Sequence, residues 1–346
     1  MREKYDALIR LLTMPRHLVE KDYSKYFYYY FRWCYENRNN AEDYILRWKN
    51  LFESLNIKEK VVLDIGCGFG INSIIFAISG AREVICVEHN AEKIEIFKKL
   101  LKLFNLPLSN IFIIKGSAEN LPVKYGSIDM ALFNDVLSHV GEFKKSLVET
   151  SRIVKQNGKI FIEDGNNPLN PYNSWKQHKY RKMWEIGPVN PGVVRGTDKP
   201  VAYREVRKQI IKKFAPNLKE DIVNRIARKT AGLTEDEIGK IIDEFLKTKH
   251  LPAVTAPYKY RHPITGECLE RPFSPFLLQR GLKEIGFNAK ILLPAMSSDF
   301  CGIKGLIKRI IILIHNKFPF IIVPLFSSYR ILGSKCCDRS DVSVAS

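Results

Sequence analysis

No two cysteines in this chain are separated by two residues, and its seven cysteines (positions 34, 67, 86, 268, 301, 336 and 337) share no repeating spacing. The first absence excludes a zinc ribbon, and an odd, unpatterned set excludes a disulfide framework. A reducing, cytoplasmic setting and no metal are expected. Long apolar runs are missing too. The start, Met-Arg-Glu-Lys-Tyr, leads into a polar stretch without the apolar centre of a signal peptide. The nearest approach to a membrane segment, 303–326, is broken by Lys304, Lys308, Arg309 and Lys317. Its longest uncharged run, Phe318–Tyr329, contains two prolines and falls short of the ~17–25 mostly apolar residues a spanning helix needs. Internal repeats and low-complexity tracts are also absent.

What is present is ample core material. The 346 residues are 45% hydrophobic, enough for one large domain or two ordinary ones. The net charge of +18 is unevenly spread. Residues 1–60 hold twelve basic against nine acidic side chains, and residues 61–170 are balanced at twelve each. Residues 171–260 hold nineteen against ten, and 261–346 twelve against six. Such a field favours an anionic partner (nucleic acid, a phosphorylated substrate or an anionic membrane surface), though a solubilising surface has the same composition.

Residues 1–57 carry helical spacing: Leu8, Leu11 and Leu12, then Tyr44, Trp48, Leu51 and Leu55. Between them lies an aromatic crowd, Tyr26 to Phe31 and Trp33, suited to core packing or to capping a site. From Lys58 short apolar runs alternate with helical stretches. Strands are expected at Val61–Ile65, Glu83–Glu88, Ile111–Ile114, Met130–Phe133 and Lys159–Glu163, with helices at Ile71–Ile78, Ala91–Phe104 and Phe143–Val154. This alternation predicts an α/β fold, a doubly wound, mostly parallel sheet covered on both faces. Residues 166–260 read as a helical insertion, including the capping-box spacing Thr234-Glu-Asp-Glu237 before the stripe Ile238, Ile241, Ile242, Phe245 and Leu246. Alternation resumes with a helix from Ser274-Pro275 to Gly286 and strands at Ala289–Leu293 and Tyr329–Gly333.

The densest motif is Val61-Val-Leu-Asp-Ile-Gly-Cys-Gly-Phe-Gly70. A strand ends, the chain turns through Gly66, Gly68 and Gly70 where a ligand can approach closely, and a helix begins. The third glycine comes one position too early for a dinucleotide fingerprint. Asp64, just ahead of the turn, suits a ligand bearing an amine or sulfonium and repels a pyrophosphate, which favours S-adenosylmethionine (SAM) over a pyridine dinucleotide.

Taken with four segments downstream of it in the chain, this motif resembles the class I SAM-dependent methyltransferase family. Glu88 ends the second strand 22 residues after Gly66. The resemblance implies that it takes both ribose hydroxyls. Gly116-Ser-Ala-Glu-Asn-Leu-Pro122 resembles the segment that encloses adenine, and Ile128-Asp-Met-Ala-Leu-Phe-Asn-Asp-Val-Leu-Ser-His139 resembles the fourth strand and its mouth. Val154-Lys-Gln-Asn-Gly-Lys159 resembles the turn before strand five, with Asn157 for proline and Lys159 for a second glycine. The motifs span about a third of the chain. They imply SAM as cofactor, held by Asp64, Gly66, Cys67, Gly68, Gly70, Glu88, His89, Ser117, Ala118, Glu119 and Asn134, and a Rossmann-like core at 58–165 behind a helical cap at 1–57. A helical insertion or acceptor lid comes next at 166–273, then a return to the sheet at 274–335 and a disordered tail at 336–346.

Methyl transfer needs alignment, and for a hydroxyl acceptor also a base. His139 is the first candidate, with Asp135 to orient it, because both follow the fourth strand at its carboxyl end. Glu163 and Asp164, ending strand five, are a second acidic candidate. In the polar segment Tyr258–Phe276, Arg261 and Arg271 could grip a phosphate or carboxylate, or Glu270 and Arg271 could hold a lid closed. The aspartate/asparagine-Pro-Pro-aromatic motif of exocyclic-amine enzymes, the Pro-Cys pair of cytosine-C5 enzymes and RNA-binding module signatures are all lacking. Residues 303–317 place Ile303, Leu306, Ile307, Ile310, Ile311 and Ile314 on one helical face, fitting a sheet edge, a second subunit or a membrane interface. The expected activity is methyl transfer to a small-molecule, glycan or lipid-linked acceptor, at oxygen. RNA methylation and a non-catalytic SAM-binding scaffold are the competing readings. Nothing in the sequence sets the oligomeric state.

Overall fold

A computed structural model describes residues 2–104, 110–188, 201–256, 258–293 and 302–336, with 302–308 as backbone only. The tail foreseen at 336–346 lies outside the described residues from 337 onward. The chain begins with α1 (Arg2–Leu11), α2 (Arg16–Asp22), α3 (Lys25–Tyr30), α4 (Arg32–Glu36) and α5 (Arg38–Ser54). The alternating core comes next: β1 (Val61–Ile65), α6 (Ile71–Ile78), β2 (Glu83–Glu88), α7 (Ala91–Leu103), β3 (Ile111–Lys115), β4 (Ile128–Asn134), α8 (Phe143–Ile153) and β5 (Val154–Asp164). Four more helices intervene, α9 (Pro171–Ile186), α10 (Tyr203–Phe214), α11 (Glu220–Lys229) and α12 (Glu235–Thr248). The chain returns through α13 (Pro275–Glu284), β6 (Phe287–Leu292), α14 (Gly302–Lys317), α15 (Pro319–Ile322) and β7 (Tyr329–Lys335).

The strands form one seven-stranded sheet, ordered β3-β2-β1-β4-β5-β7-β6. The first five strands are parallel to their neighbours, and β7 is antiparallel between β5 and β6. This is the doubly wound, Rossmann-like arrangement. The order reverses at β1, so the crevice beyond the carboxyl ends of β1 and β4 is where such a sheet holds a ligand. Val154–Lys159, expected as a turn, is already strand. Asn157 sits at φ +60° and a register shift between Ile128 and Met130 absorbs the turn.

Each face of the sheet has its own core. On one side α6, α7 and the N-terminal helices bury Trp48, Phe52, Phe76 and Phe97 against Val62, Leu132 and Phe161. The Phe52 and Phe76 rings stack with centroids 3.7 Å apart, and the Tyr5 hydroxyl meets Ser79 Oγ at 2.7 Å. The inward stripe of α5 is Ala41, Ile45, Trp48 and Phe52, with Leu51 and Leu55 at its flank. The opposite face is covered by α8 and α13, packing Leu147, Leu278 and Leu282 on Leu63, Phe133 and Ile160. Helices α10 to α12 bury a third, separate cluster, including Ile211, Val223, Ile226, Ile238 and Ile242. Glu237 accepts from both the Thr234 amide (2.7 Å) and hydroxyl (2.9 Å), while Leu246, expected in the stripe, is exposed. Helix α14 lies beside the edge strand β6, its buried His315 Nε2 donating to the Ile291 carbonyl at 3.0 Å. Ile310, placed by periodicity on the packed face, is 46% exposed.

Candidate active site

Strand β1 delivers Asp64 to the crevice, 2% exposed, and Ser73 Oγ of α6 donates to its Oδ2 at 2.6 Å. Burial, with the nearby charge of Glu88, pushes the Asp64 carboxyl up to about 7 against the opposing Ser73 bond. The turn after it is tightly set. The Gly66 amide donates to Val87 O at 2.7 Å and the Gly68 amide to Glu88 Oε2 at 2.9 Å. Gly70, at φ +76°, opens α6; a Cβ there would stand 2.2 Å from the Phe97 ring. At Gly68, φ +57°, a Cβ would meet no protein atom within 4 Å, so this backbone faces open space that a ligand can occupy.

The hollow above Asp64 is walled by Gly66, Cys67, Gly68 and Asn134, and also by Tyr30, Phe31 and Tyr44 of the N-terminal helices. Tyr26, Phe27, Tyr30 and Phe31 all pack around Phe69 of the turn, and the Tyr44 hydroxyl donates to Asn72 Oδ1 at 3.1 Å. The aromatic crowd is therefore both core and cap, and the sequence did not reveal which rings reach the site. A carboxylate beneath aromatic rings is a setting for a cation. That donor set, with the open Gly68 backbone, fits the ammonium and sulfonium of SAM.

Glu88, 3% exposed, accepts the amides of His89 and Asn90 at 2.9 Å on Oε1, leaving Oε2 facing the turn. Burial pushes its carboxyl up, but His89, Lys93 and the Asn90 amide outweigh this and hold it at about 2. It is thus an anionic acceptor suited to ribose hydroxyls. His89 donates from Nε2 to Glu267 (3.1 Å) and from Nδ1 to Glu88 (3.0 Å), and these two bonds push it up to about 9. Ser117 pairs with Asn120 in a short bridge, and Ala118 packs beneath it. Glu119 accepts the Glu142 amide at 2.6 Å and the Ser117 hydroxyl at 3.3 Å, joining the loops after β3 and β4.

Around the mouths of β4 and β5 lies a cluster of acidic side chains. Asp135, at φ +52°, accepts the Gly165 amide at 2.7 Å. Although its side chain opens to solvent at one edge, the enclosing chain raises its carboxyl, with Glu163 and Glu270 adding and His139 opposing. Asp164 is 1% exposed; its Oδ1 accepts the Asn166 amide at 2.8 Å, while Oδ2 and the neighbouring Tyr329 hydroxyl are buried without a hydrogen-bond partner. Burial, then the charge of Asp135, pushes Asp164 up to about 7. His139 is oriented by a different group from the one expected. Its Nδ1 donates to the Cys268 carbonyl at 3.1 Å, a contact that leaves Nε2 as the basic nitrogen. Glu163 is held by two arginines, Arg47 Nη1 on Oε1 and Arg330 Nε on Oε2, each at 2.8 Å, so both its oxygens serve the scaffold.

The 258–273 loop is fastened to the ends of β2 and β4. Besides Glu267–His89 and Cys268–His139, the Arg271 amide donates to Ser138 O at 2.7 Å and its Nη1 to Gly141 O at 3.2 Å. Arg271 stacks on Tyr258, and Glu270 accepts Gln177 Nε2 at 2.9 Å. Arg261 is committed to Glu237 (3.1 Å) and Gly266 O (3.0 Å). In this geometry Arg271 ties the loop to the backbone after β4, and Arg261 ties it to α12. A further hollow, lined by Leu55, Lys60, Asp129, Gln156 and Lys159, lies at the amino ends of β1, β4 and β5, away from the ligand side of the sheet, and Lys155 pairs with its Asp129 at 2.9 Å. Among the described residues no cluster could hold a metal, and no helix is long and apolar enough to cross a membrane.

Residues 63–162 match the family profile described as a methyltransferase domain. Those residues are a class I SAM-dependent methyltransferase domain. Its cofactor is SAM. The methyltransferase domain is similar to parts of several relatives. The tRNA U34 carboxymethyltransferase of Ruthia magnifica is 29% identical over 119 residues, 34% of this chain and 37% of that one. The norajmaline N-methyltransferase of Rauvolfia serpentina is 28% identical over 120 residues, 35% of this chain and 41% of that one. The demethylmenaquinone methyltransferase of Paenarthrobacter aurescens is 28% identical over 127 residues, 36% and 47%. The chain thus spans less than half the length of each, and the three act on unlike acceptors by their names.

Proposed function

We propose that the whole chain transfers the methyl group of SAM to an oxygen of a small-molecule, glycan or lipid-linked acceptor. The observation that carries this reading is the adjacency of a hollow and an acidic cluster. Asn134 lines the cation-suited pocket with Asp64, and the next residue, Asp135, belongs to the acidic cluster with Asp164 and Glu270. Bound in the first hollow, SAM supplies a methyl group on a sulfur that is already an activated leaving group. Asp64 holds positive charge there, while Glu88 accepts hydroxyl donors. The rings of Tyr30, Phe31 and Tyr44 and the fastened loop exclude water, which strengthens each electrostatic contact. Beside the acidic cluster an acceptor hydroxyl loses its proton to His139 Nε2 or to the Asp135 carboxylate. Lipid-linked acceptors are included because the apolar stretch 303–326 favours contact with a membrane surface from the cytoplasmic side.

An RNA acceptor is the second reading, supported by the charge of +18 and by the tRNA-modifying relative. Incubating the purified chain with methyl-labelled SAM and separated cell fractions tests both. Label is expected in the small-molecule, glycan or lipid fraction; label in RNA favours the second reading, and a chain that binds SAM yet labels nothing is a scaffold.

A further inference from the structure

Two stretches of this chain contain no acidic residue at all: 165–184, with Lys176, Lys179, Arg181 and Lys182, and 300–337, with Lys304, Lys308, Arg309, Lys317, Arg330 and Lys335. They are far apart in sequence and joined in space. At the start of α9, Asn170 Nδ2 donates to Pro324 O (3.0 Å) and Asn173 Nδ2 to Ser327 O (3.1 Å), while Asn167 Nδ2 reaches Val323 O and Phe326 O, both at 2.8 Å. The surface around this seam is apolar. Tyr172 (69% exposed), Trp175 (56%), Leu313 (62%), Phe320 (62%), Ile321 (51%) and Leu325 (67%) all stand in solvent. On α9 the outward positions 172, 175, 176, 179 and 182 form one helical stripe that begins aromatic and continues as lysine, with Lys179 Nζ 4.9 Å from the Trp175 ring. An exposed apolar patch of this size on a single chain calls for an occupant.

We propose that α9 together with α14, α15 and the turn to β7 forms a docking face for an anionic lipid bilayer. The composition suits that one partner. Trp and Tyr settle at headgroup depth, the apolar side chains enter the acyl boundary, and flanking lysines bury their stems while keeping their charges among anionic headgroups. A second copy of the chain is a poorer occupant, because two such faces carry the same charge and repel. Nucleic acid would leave isoleucine, leucine and phenylalanine unmatched, since a phosphate backbone offers them no apolar surface. The patch also adjoins the acidic cluster, since Tyr329 begins β7 opposite Asp164. A docked chain would therefore meet an acceptor at the bilayer surface. The docking itself stands apart from the methyl-transfer reading.

Flotation of the full chain with vesicles tests it without cofactor or acceptor. Vesicles of phosphatidylcholine with about a third phosphatidylglycerol should carry the protein, pure phosphatidylcholine should carry it roughly tenfold less, and raised salt should release it. Trp fluorescence should shift to the blue on binding, and the shift should vanish in Trp175→Phe. The double variant Phe320→Glu, Leu325→Glu should lose flotation by about tenfold or more while binding SAM as the parent does, which confirms its fold. If that variant does not fold, Trp175→Ala with Lys179→Glu, both on the exposed helix face, serves in its place. No flotation, flotation unchanged in the folded variants, or a dimer that the same substitutions dissociate would each overturn the proposal.

Discussion

At the scale of the residue, Asp64 is the side chain on which the proposed cofactor binding turns. Its carboxyl is raised to about 7 by burial, so below neutrality it holds a proton that a cationic ligand must displace. Affinity for SAM should accordingly fall roughly tenfold for each pH unit below 7 and level off above it, as titration calorimetry would measure. Asp64→Asn should weaken binding at least ~10-fold at pH 8 and abolish this pH dependence, with the near-ultraviolet circular dichroism unchanged. An unchanged pH profile would place the cation elsewhere. The two candidate bases separate in the same manner. His139→Ala should lower turnover ~100-fold or more if Nε2 takes the proton, with cofactor affinity preserved. Retained turnover in that variant, together with its loss in Asp135→Asn, transfers the role to Asp135. Asp64 and Glu88 were legible because a turn that closes on backbone leaves few positions for a carboxylate. Arg261 and Glu163 were not legible as scaffold, because a lone basic or acidic side chain does not announce its partner; Glu237 lies 24 positions from Arg261 and Arg47 116 from Glu163.

At the scale of the element, the loop 258–273 and the helical insertion carry the predictions. The Glu88–His89–Glu267 chain links the acid proposed for the ribose hydroxyls to the loop 258–273. His89 is raised from 6.5 to about 9 by Glu267 and Glu88, so its contribution to lid closure is complete below about pH 6.5 and is lost as pH rises through 9. Amide exchange in 258–273 should quicken over that window in the parent and be fast throughout in Glu267→Gln. In the insertion, Arg207 is fully buried, bonding Ala227 O at 2.8 Å and pairing with Glu185. Arg207→Ala should destabilise the chain by about 3 kcal/mol in urea unfolding, because the buried Glu185 then keeps only Arg204, 3.9 Å away, as a partner. Helix periodicity located α12 and its cap correctly, since both are local. On α14 it marked the apolar face without deciding what covers it, and Ile310 on that face is 46% exposed.

At the scale of the whole molecule, the N-terminal helices are inseparable from the methyltransferase domain. They bury one face of α6 and supply three walls of the SAM pocket. Removing residues 2–54 would uncover Phe69, Ile75 and Phe76, and the truncated protein should aggregate and lose SAM binding when purified beside the full chain. The amino-acid order by itself determined the alternating core, the cofactor turn and the chemistry of the ligand it holds, because strand, turn and helix signals there act within a few residues of one another. Tertiary structure alone decided that β7 enters antiparallel between β5 and β6, that the aromatic segment roofs Asp64, and that His139 takes its orientation from Cys268. Each of those joins residues separated by tens to hundreds of positions, where the free energy of contact depends on burial and register that no local pattern carries.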